Sequence, residues 1–147
     1  MPFQQRRIII KPTPFELLRE FHETYGAAID KDFNLELLDL RIKLIKEEWN
    51  EVLDEVFDGC KIGLKEDKKL HPENIDKKKL TKELADLMYV TIGFATTFGL
   101  PLEEVFYEVH KSNMSKLTKD GKVLLREDGK VLKSDQYKEP DLDQFFS

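Results

Sequence analysis

The sequence predicts an all-α fold, an antiparallel bundle of four to five helices with a short β-like arm at the C-terminus, assembled as an oligomer. Three observations carry this expectation. Apolar residues recur at helical spacing over four segments, each opened or closed by a cap signal. The connection between the last two segments is short, which favours antiparallel neighbours. Charged residues make up 36% of the 147-residue chain and hydrophobic ones 40%, the balance of helices that keep one face solvated.

The first helix is predicted to open at Thr13-Pro14-Phe15-Glu16, a capping box with proline at the first helical position, and to run to about Tyr25 before Gly26. The second opens near Asn34 and runs to about Asp58, where Gly59 closes it. The polar, lysine-rich stretch from Cys60 to Ile75 reads as a long connection. Asp76 then caps a third helix that reaches about Phe98 before Gly99. A fourth follows Pro101, with Glu103 and Glu104 in its first turn, and continues through His110 to about Lys116. Beyond it, Asp120-Gly121-Lys122-Val123-Leu124 recurs as Asp128-Gly129-Lys130-Val131-Leu132. Two Asp-Gly turn signals flanking short β-prone runs suggest a small hairpin or extended arm, too small to be a domain. The remainder, Tyr137 to Ser147, is expected to wrap the surface or a partner subunit. The chain therefore reads as one domain, 1–147, with a helical core over 13–117 and an arm over 118–147. Trp49, Phe57, Phe94, Phe98, Phe106 and Tyr107 are more than one small bundle needs, hence the expected homo-oligomer, a dimer or tetramer.

Composition narrows the function classes. No run of ~18 apolar residues exists to span a membrane. Ile8-Ile9-Ile10, behind Arg6 and Arg7, is too short for a signal-peptide core. A single cysteine, Cys60, excludes an intrachain disulfide framework and fits a cytoplasmic protein. With three scattered histidines it also leaves no zinc cluster. The net charge of −5 argues against a nucleic-acid-binding surface. It does not argue against a nucleotide held through divalent cations.

The informative residues are acidic. Turned at about 100° per residue, the second helix places Leu38, Ile45, Trp49, Val52 and Val56 along its apolar stripe. Glu48 falls inside that arc, with Glu51 at its edge and Glu47 further round. On the third helix Leu80, Leu84, Leu87, Phe94 and Phe98 define the buried face, Glu83 borders it, and Asp86 follows three residues on. Each helix thus carries an acidic i, i+3 pair at the margin of its core. If the two helices pack together, four like charges converge in a partly dry space, at a cost of several kcal/mol per uncompensated charge. Protonation, lysines or hard divalent cations such as magnesium would relieve it. Carboxylates held on helices can bind two such ions around a phosphate.

The segment Leu44 to Val52, with Glu47-Glu48 and Glu51, followed by Glu83-Leu84-Ala85-Asp86, resembles the E-E-x-x-E and E-x-x-D signature of MazG-like nucleoside triphosphate pyrophosphohydrolases. Gly99 to Phe106 leading into His110 to Leu117, and the tail through Asp128-Gly129-Lys130 to Asp141, are similar too. The resemblance covers roughly Phe15 to Leu142 and lies close to the dUTPase-like members. It implies an α-helical, dimeric or tetrameric enzyme that cleaves a nucleoside triphosphate, above all a deoxynucleoside one, to the monophosphate and pyrophosphate. Glu48, Glu51, Glu83 and Asp86 would ligate magnesium, two or more ions per site, with manganese able to substitute. Glu47 would orient or deprotonate the attacking water, and Asn113 and Lys116 would contact the nucleotide. Lys133 and Tyr137, with Lys130, would close over the substrate.

The residues make chemical sense of these roles. Asn113 and Lys116 extend the inward stripe of Leu102, Val105, Phe106 and Val109; an amide can read a base edge and a lysine can hold a phosphate. The plainer alternatives are a helix cap for Asn113, a solvated side chain for Lys116 and an exposed turn for Lys130, Lys133 and Tyr137. Trp49, Phe94 and Phe98 read as core. Two other protein classes compete. A di-iron bundle needs glutamate three residues before histidine on two helices. Arg19, Lys68 and Tyr107 occupy those positions, which disfavours it. A non-catalytic helical interaction module would explain the apolar surplus but not the paired acids.

Overall fold

The computed structural model describes residues 10–147; the basic and apolar stretch from Arg6 to Ile9 lies outside them. The described residues form five α-helices: α1 (Pro14–Tyr25), α2 (Leu35–Lys61), α3 (Leu64–Asp67), α4 (Lys77–Phe98) and α5 (Leu102–Met114). Short 3₁₀ turns occupy Pro72–Asn74 and Asp143–Phe145. No strand forms among the described residues, so the fold is all-α. Two compact units divide the chain, one up to Leu100 and the other from Pro101 to Ser147.

In the first unit the caps act as the sequence predicts. Thr13 Oγ1 accepts from Glu16 N at 3.2 Å and Asn34 Oδ1 from Leu37 N at 3.0 Å, while Asp76 Oδ1 accepts from Lys79 N at 3.1 Å. Each bond satisfies one of the first-turn amides that a helix leaves without an internal partner. Gly26 (φ 70°) and Gly99 (φ 61°) end α1 and α4 in the left-handed conformation that glycine adopts without strain.

The expected stop at Gly59 is corrected: α2 continues to Lys61. A Cβ at Gly59 would lie 2.7 Å from Ile75 Cα, so this glycine admits the returning chain against the helix. The expected connection, in turn, is partly structured by α3 and the Pro72–Asn74 turn. His71 fastens it: Nε2 lies 2.7 Å from Asp67 Oδ2, Nδ1 bonds Glu73 Oε1 at 2.7 Å, and His71 N donates to Cys60 O at 2.8 Å.

α4 is the central element, packing extensively against α2 and also against α1. Leu18, Val52, Ile92, Ala95 and Phe98 form the buried apolar core. Gly93 leaves room where α1, α2 and α4 meet, because a Cβ there would approach His22 Nε2 at 3.3 Å and Arg41 Nη1 at 3.4 Å. His22 is buried, with Nδ1 donating to Ala28 O at 2.9 Å, and burial pushes its pKa down. The α1–α2 loop is tied to the end of α4 by Asp30 N→Thr96 O and Lys31 N→Thr97 O. Two core expectations fail: Trp49 and Leu84 are each 49% exposed. Both sit on helix faces that nothing in the first unit covers.

In the second unit the sequence repeat becomes a structural repeat. Thr118 N→Lys122 O with Gly121 N→Thr118 O is matched eight residues later by Arg126 N→Lys130 O with Gly129 N→Arg126 O. Gly121 (φ 74°) and Gly129 (φ 87°) supply the same left-handed position in each turn. The expected β-like arm reduces to one antiparallel bridge, Leu125 to Val131, because the second turn leaves only a short paired stretch beside it. The chain then returns along α5 rather than extending away: Ser112 Oγ donates to Lys138 O at 2.7 Å and Asp141 N donates to Glu108 Oε1 at 3.1 Å.

Candidate metal centre

The close packing of α2 on α4 decides where the acidic pairs go. Val52 is buried on α2, and Glu48 lies one turn before it, so its carboxyl is drawn toward the same interface. On α4 the half-buried Leu80 and Leu87 flank Glu83. Glu48, Glu83 and Asp86 each present a carboxylate oxygen, and the three atoms lie within 4.8 Å of one another. The Glu83 side chain is only 13% exposed.

Two oxygens in this group, Glu48 Oε2 and Glu83 Oε2, are buried without a hydrogen-bond partner. Buried acceptors left unpaired are costly, and carboxylate oxygens are the donors that hard divalent cations select. The residues therefore fit a metal ion.

Lys82 is the compensation the chain itself supplies. Its Nζ lies 2.6 Å from Asp86 Oδ2 and 3.5 Å from Glu83 Oε1. One ammonium against three carboxylates leaves the group negative. Burial, followed by repulsion from Asp86 and Glu83, raises the pKa of Glu48; Glu47 adds a little to this and Lys82 opposes it. Glu51 is exposed, and its pKa is raised first by a hydrogen bond with Glu83 and then by the charges of Glu83 and Glu48. Of the four expected ligands, Glu48, Glu83 and Asp86 converge, and Glu51 is exposed and outside the group of three. Glu47 is exposed beside the group and outside it.

The remaining expected site residues belong to the second unit. Asn113 is exposed in the last turn of α5, whose C-cap is Ser115, and its backbone oxygen accepts from Lys116 N at 3.2 Å. Lys116 and Lys133 line one cleft, and Lys133 Nζ sits 4.4 Å from the centroid of the Tyr137 ring. Sequence reasoning passed over Lys82, although its i, i+4 spacing to Asp86 signals the pair.

A model of the phosphoribosyl-ATP pyrophosphohydrolase family matches residues 18–113, more than half of the chain and inclusive of all four acids. The chain belongs to the phosphoribosyl-ATP pyrophosphohydrolase family. This family falls within the all-α nucleoside triphosphate pyrophosphatase superfamily to which the sequence signature pointed. The acidic group shared by α2 and α4 is thus a candidate metal centre in a pyrophosphohydrolase family. The chain is also similar to an uncharacterised protein of Acanthamoeba polyphaga mimivirus, 25% identical over 118 residues. That match covers 76% of this chain and 38% of the relative, so the chain spans well under half of its relative's length.

Proposed function

We propose that this chain is a magnesium-dependent pyrophosphohydrolase that converts a nucleoside triphosphate, preferably a deoxynucleoside one, to the monophosphate and pyrophosphate. The observation that carries this reading is the convergence of Glu48, Glu83 and Asp86 within 4.8 Å, with two buried carboxylate oxygens unpartnered, in a chain of a pyrophosphohydrolase family. Glu48, Glu51, Glu83 and Asp86 would hold two or more magnesium ions, with manganese able to substitute. When bound, such ions polarise phosphoryl oxygens and neutralise charge that develops on the bridging oxygen.

The side chains do the rest. Glu47, beside the group and solvated, accepts a proton from the attacking water and fixes its direction. Asn113 offers donor and acceptor to a base edge, Lys116 holds phosphate, and Lys133 and Tyr137 close over the substrate.

The MazG-like, dUTPase-like assignment is the finer form of this proposal, supported by Glu47-Glu48, Glu51, Glu83 and Asp86 at the signature spacing. A second substrate, phosphoribosyl-ATP, is favoured by the description of the matching family. In this reading the chain works as a single cytoplasmic domain, 1–147, and as a homodimer or homotetramer without nucleic-acid or membrane partners. Trp49, Phe57, Leu84 and Met88, all about half exposed, support a self-associating face on α2 and α4.

The test is a side-by-side panel of common and deoxynucleoside triphosphates, diphosphates and phosphoribosyl-ATP, with magnesium, resolved by anion-exchange chromatography. The expected result is monophosphate and pyrophosphate from at least one deoxynucleoside triphosphate. Turnover of phosphoribosyl-ATP alone would select the second substrate. A protein inert on every compound would favour the non-catalytic interaction module.

A further inference from the structure

Lys82 stands beside the acidic group without belonging to the ligand set. α4 opens with Lys77, Lys78, Lys79 and Lys82 and has no acid in its first turn beyond the Asp76 cap, although the helix dipole favours negative charge there. Of these four lysines, only Lys82 forms ion pairs among the described residues. Its Nζ lies 2.6 Å from Asp86 Oδ2 and 3.5 Å from Glu83 Oε1. The i, i+4 pair with Asp86 runs in the less favourable sense, with the cation nearer the N-terminus, so helix electrostatics do not account for it. The partner helix does. Glu48 of α2 brings a third carboxylate oxygen within 4.8 Å of those of Glu83 and Asp86, and the surplus negative charge holds the ammonium.

The ammonium and a divalent ion need the same carboxylates. Glu83 and Asp86 are two of the three residues whose oxygens converge, and Lys82 pairs with both. It leaves the inner oxygens, Glu48 Oε2 and Glu83 Oε2, without a hydrogen-bond partner, so it answers one side of the group only. A divalent ion on Asp86 would face the ammonium across one carboxylate with twice its charge, and like charges so close repel. The ammonium is the one that can leave. The Lys82 side chain is 65% exposed, and its flexible four-carbon stem reaches water without moving α4.

We propose that Lys82 is a built-in competitor that regulates the metal centre. Its ammonium holds Glu83 and Asp86 when divalent cations are scarce and gives them up as the concentration rises, which sets the concentration at which the centre fills. This regulation rests on the reading of the acidic group as a metal centre. The competition has a thermodynamic signature: Lys82 stabilises the chain in a chelator and weakens uptake of the ion, so removing its charge acts with opposite signs on the two. A lysine that orients Asp86 for the ion gives the reverse sign on uptake, and a merely solvated lysine moves neither.

Calorimetric titration of the full chain with manganese at fixed pH and ionic strength tests it, with thermal melts in EDTA and in saturating manganese alongside. Lys82→Gln should bind manganese about three- to tenfold more tightly than wild type, the scale of one exposed ion pair enlarged by the double charge of the ion. It should melt lower than wild type in EDTA, and saturating manganese should shrink or reverse that difference. Lys82→Arg keeps the charge and should bind manganese as wild type does. Lys78→Gln removes the same charge from an exposed lysine of the same helix end and should leave the affinity unchanged. Weaker or unchanged manganese binding by Lys82→Gln, a melt in EDTA no lower than wild type, or an equal gain from Lys78→Gln would each overturn the competitor. The two readings fail separately. Manganese bound equally by wild type and Lys82→Gln refutes the competition alone, and manganese bound by neither refutes the metal centre and the competition with it.

Discussion

Replacing Glu48 by glutamine should change stability in opposite directions with and without magnesium. In the absence of a cation, Glu48 faces Glu83 and Asp86 with ligand atoms within 4.8 Å. At that distance and an effective dielectric near 20, each pair of unit charges repels by about 3.5 kcal/mol. The single charge of Lys82 offsets roughly one of these two repulsions, and solvent around half-buried groups screens much of the remainder, leaving on the order of 1–2 kcal/mol. Glutamine keeps the shape, removes the charge and offers an amide to the neighbouring carboxylates. Glu48→Gln should therefore raise Tm in EDTA by roughly 3–8 °C for a chain of this size. Magnesium should do the reverse. Wild type gains about 2.7 kcal/mol when the ion is at one hundred times its Kd, and the variant loses most of that gain. Differential scanning fluorimetry in EDTA and across a magnesium series reads both effects. A variant less stable than wild type in EDTA, or stabilised equally by magnesium, would refute the reasoning.

Further outcomes follow from the same geometry. Glu51→Gln and Glu83→Gln should each lower kcat by about 100-fold, the upper end for disturbing a metal site, with helical content by circular dichroism unchanged. The raised pKa values of Glu48 and Glu51, against an ordinary 4.5, mean that folding in EDTA is favoured by their protonated forms. That contribution is complete below 4.5 and is lost as pH rises through the raised values, which chemical denaturation in EDTA across acidic pH would measure. For His71, whose pKa is raised above 6.5 by Asp67 and then Glu73, the contribution is present below 6.5 and disappears as pH rises through the raised value. His71→Gln should accordingly lower Tm more at pH 6 than at pH 9. Gly59→Ala would set a methyl 2.7 Å from Ile75 Cα, and should cost about 1–3 kcal/mol in a urea melt.

Much of the fold was legible because caps are local. Thr13, Asn34 and Asp76 each bond an amide three residues on, and that information sits within four residues of sequence. Gly59 misled because a glycine can end a helix or admit a close neighbour, and only the position of Ile75 distinguishes the two. Trp49 and Leu84 misled for a related reason. Periodicity identifies an apolar face without saying what covers it, and half of each side chain stays open to solvent.

The acidic group was legible in part. Spacing placed Glu48 and Glu83 at core margins, and packing of α2 on α4 brought them with Asp86 to a common point. The position of Glu51, exposed and outside the group of three, depends on side-chain geometry that no repeat encodes. Lys116, Lys130 and Lys133 were singled out only through the resemblance, because what brings them to one cleft is tertiary. They come from a helix end and a turn fourteen residues later, held together by Leu132 N→Leu124 O and Ser134 Oγ→Leu117 O.

The most direct measurement is the anomalous difference density of crystals soaked in manganese. A peak coordinated by oxygens of Glu48, Glu83 and Asp86, with the two unpartnered oxygens engaged, is the expected result. Saturating manganese with no peak between α2 and α4, and Lys82 still paired to Asp86, would contradict it.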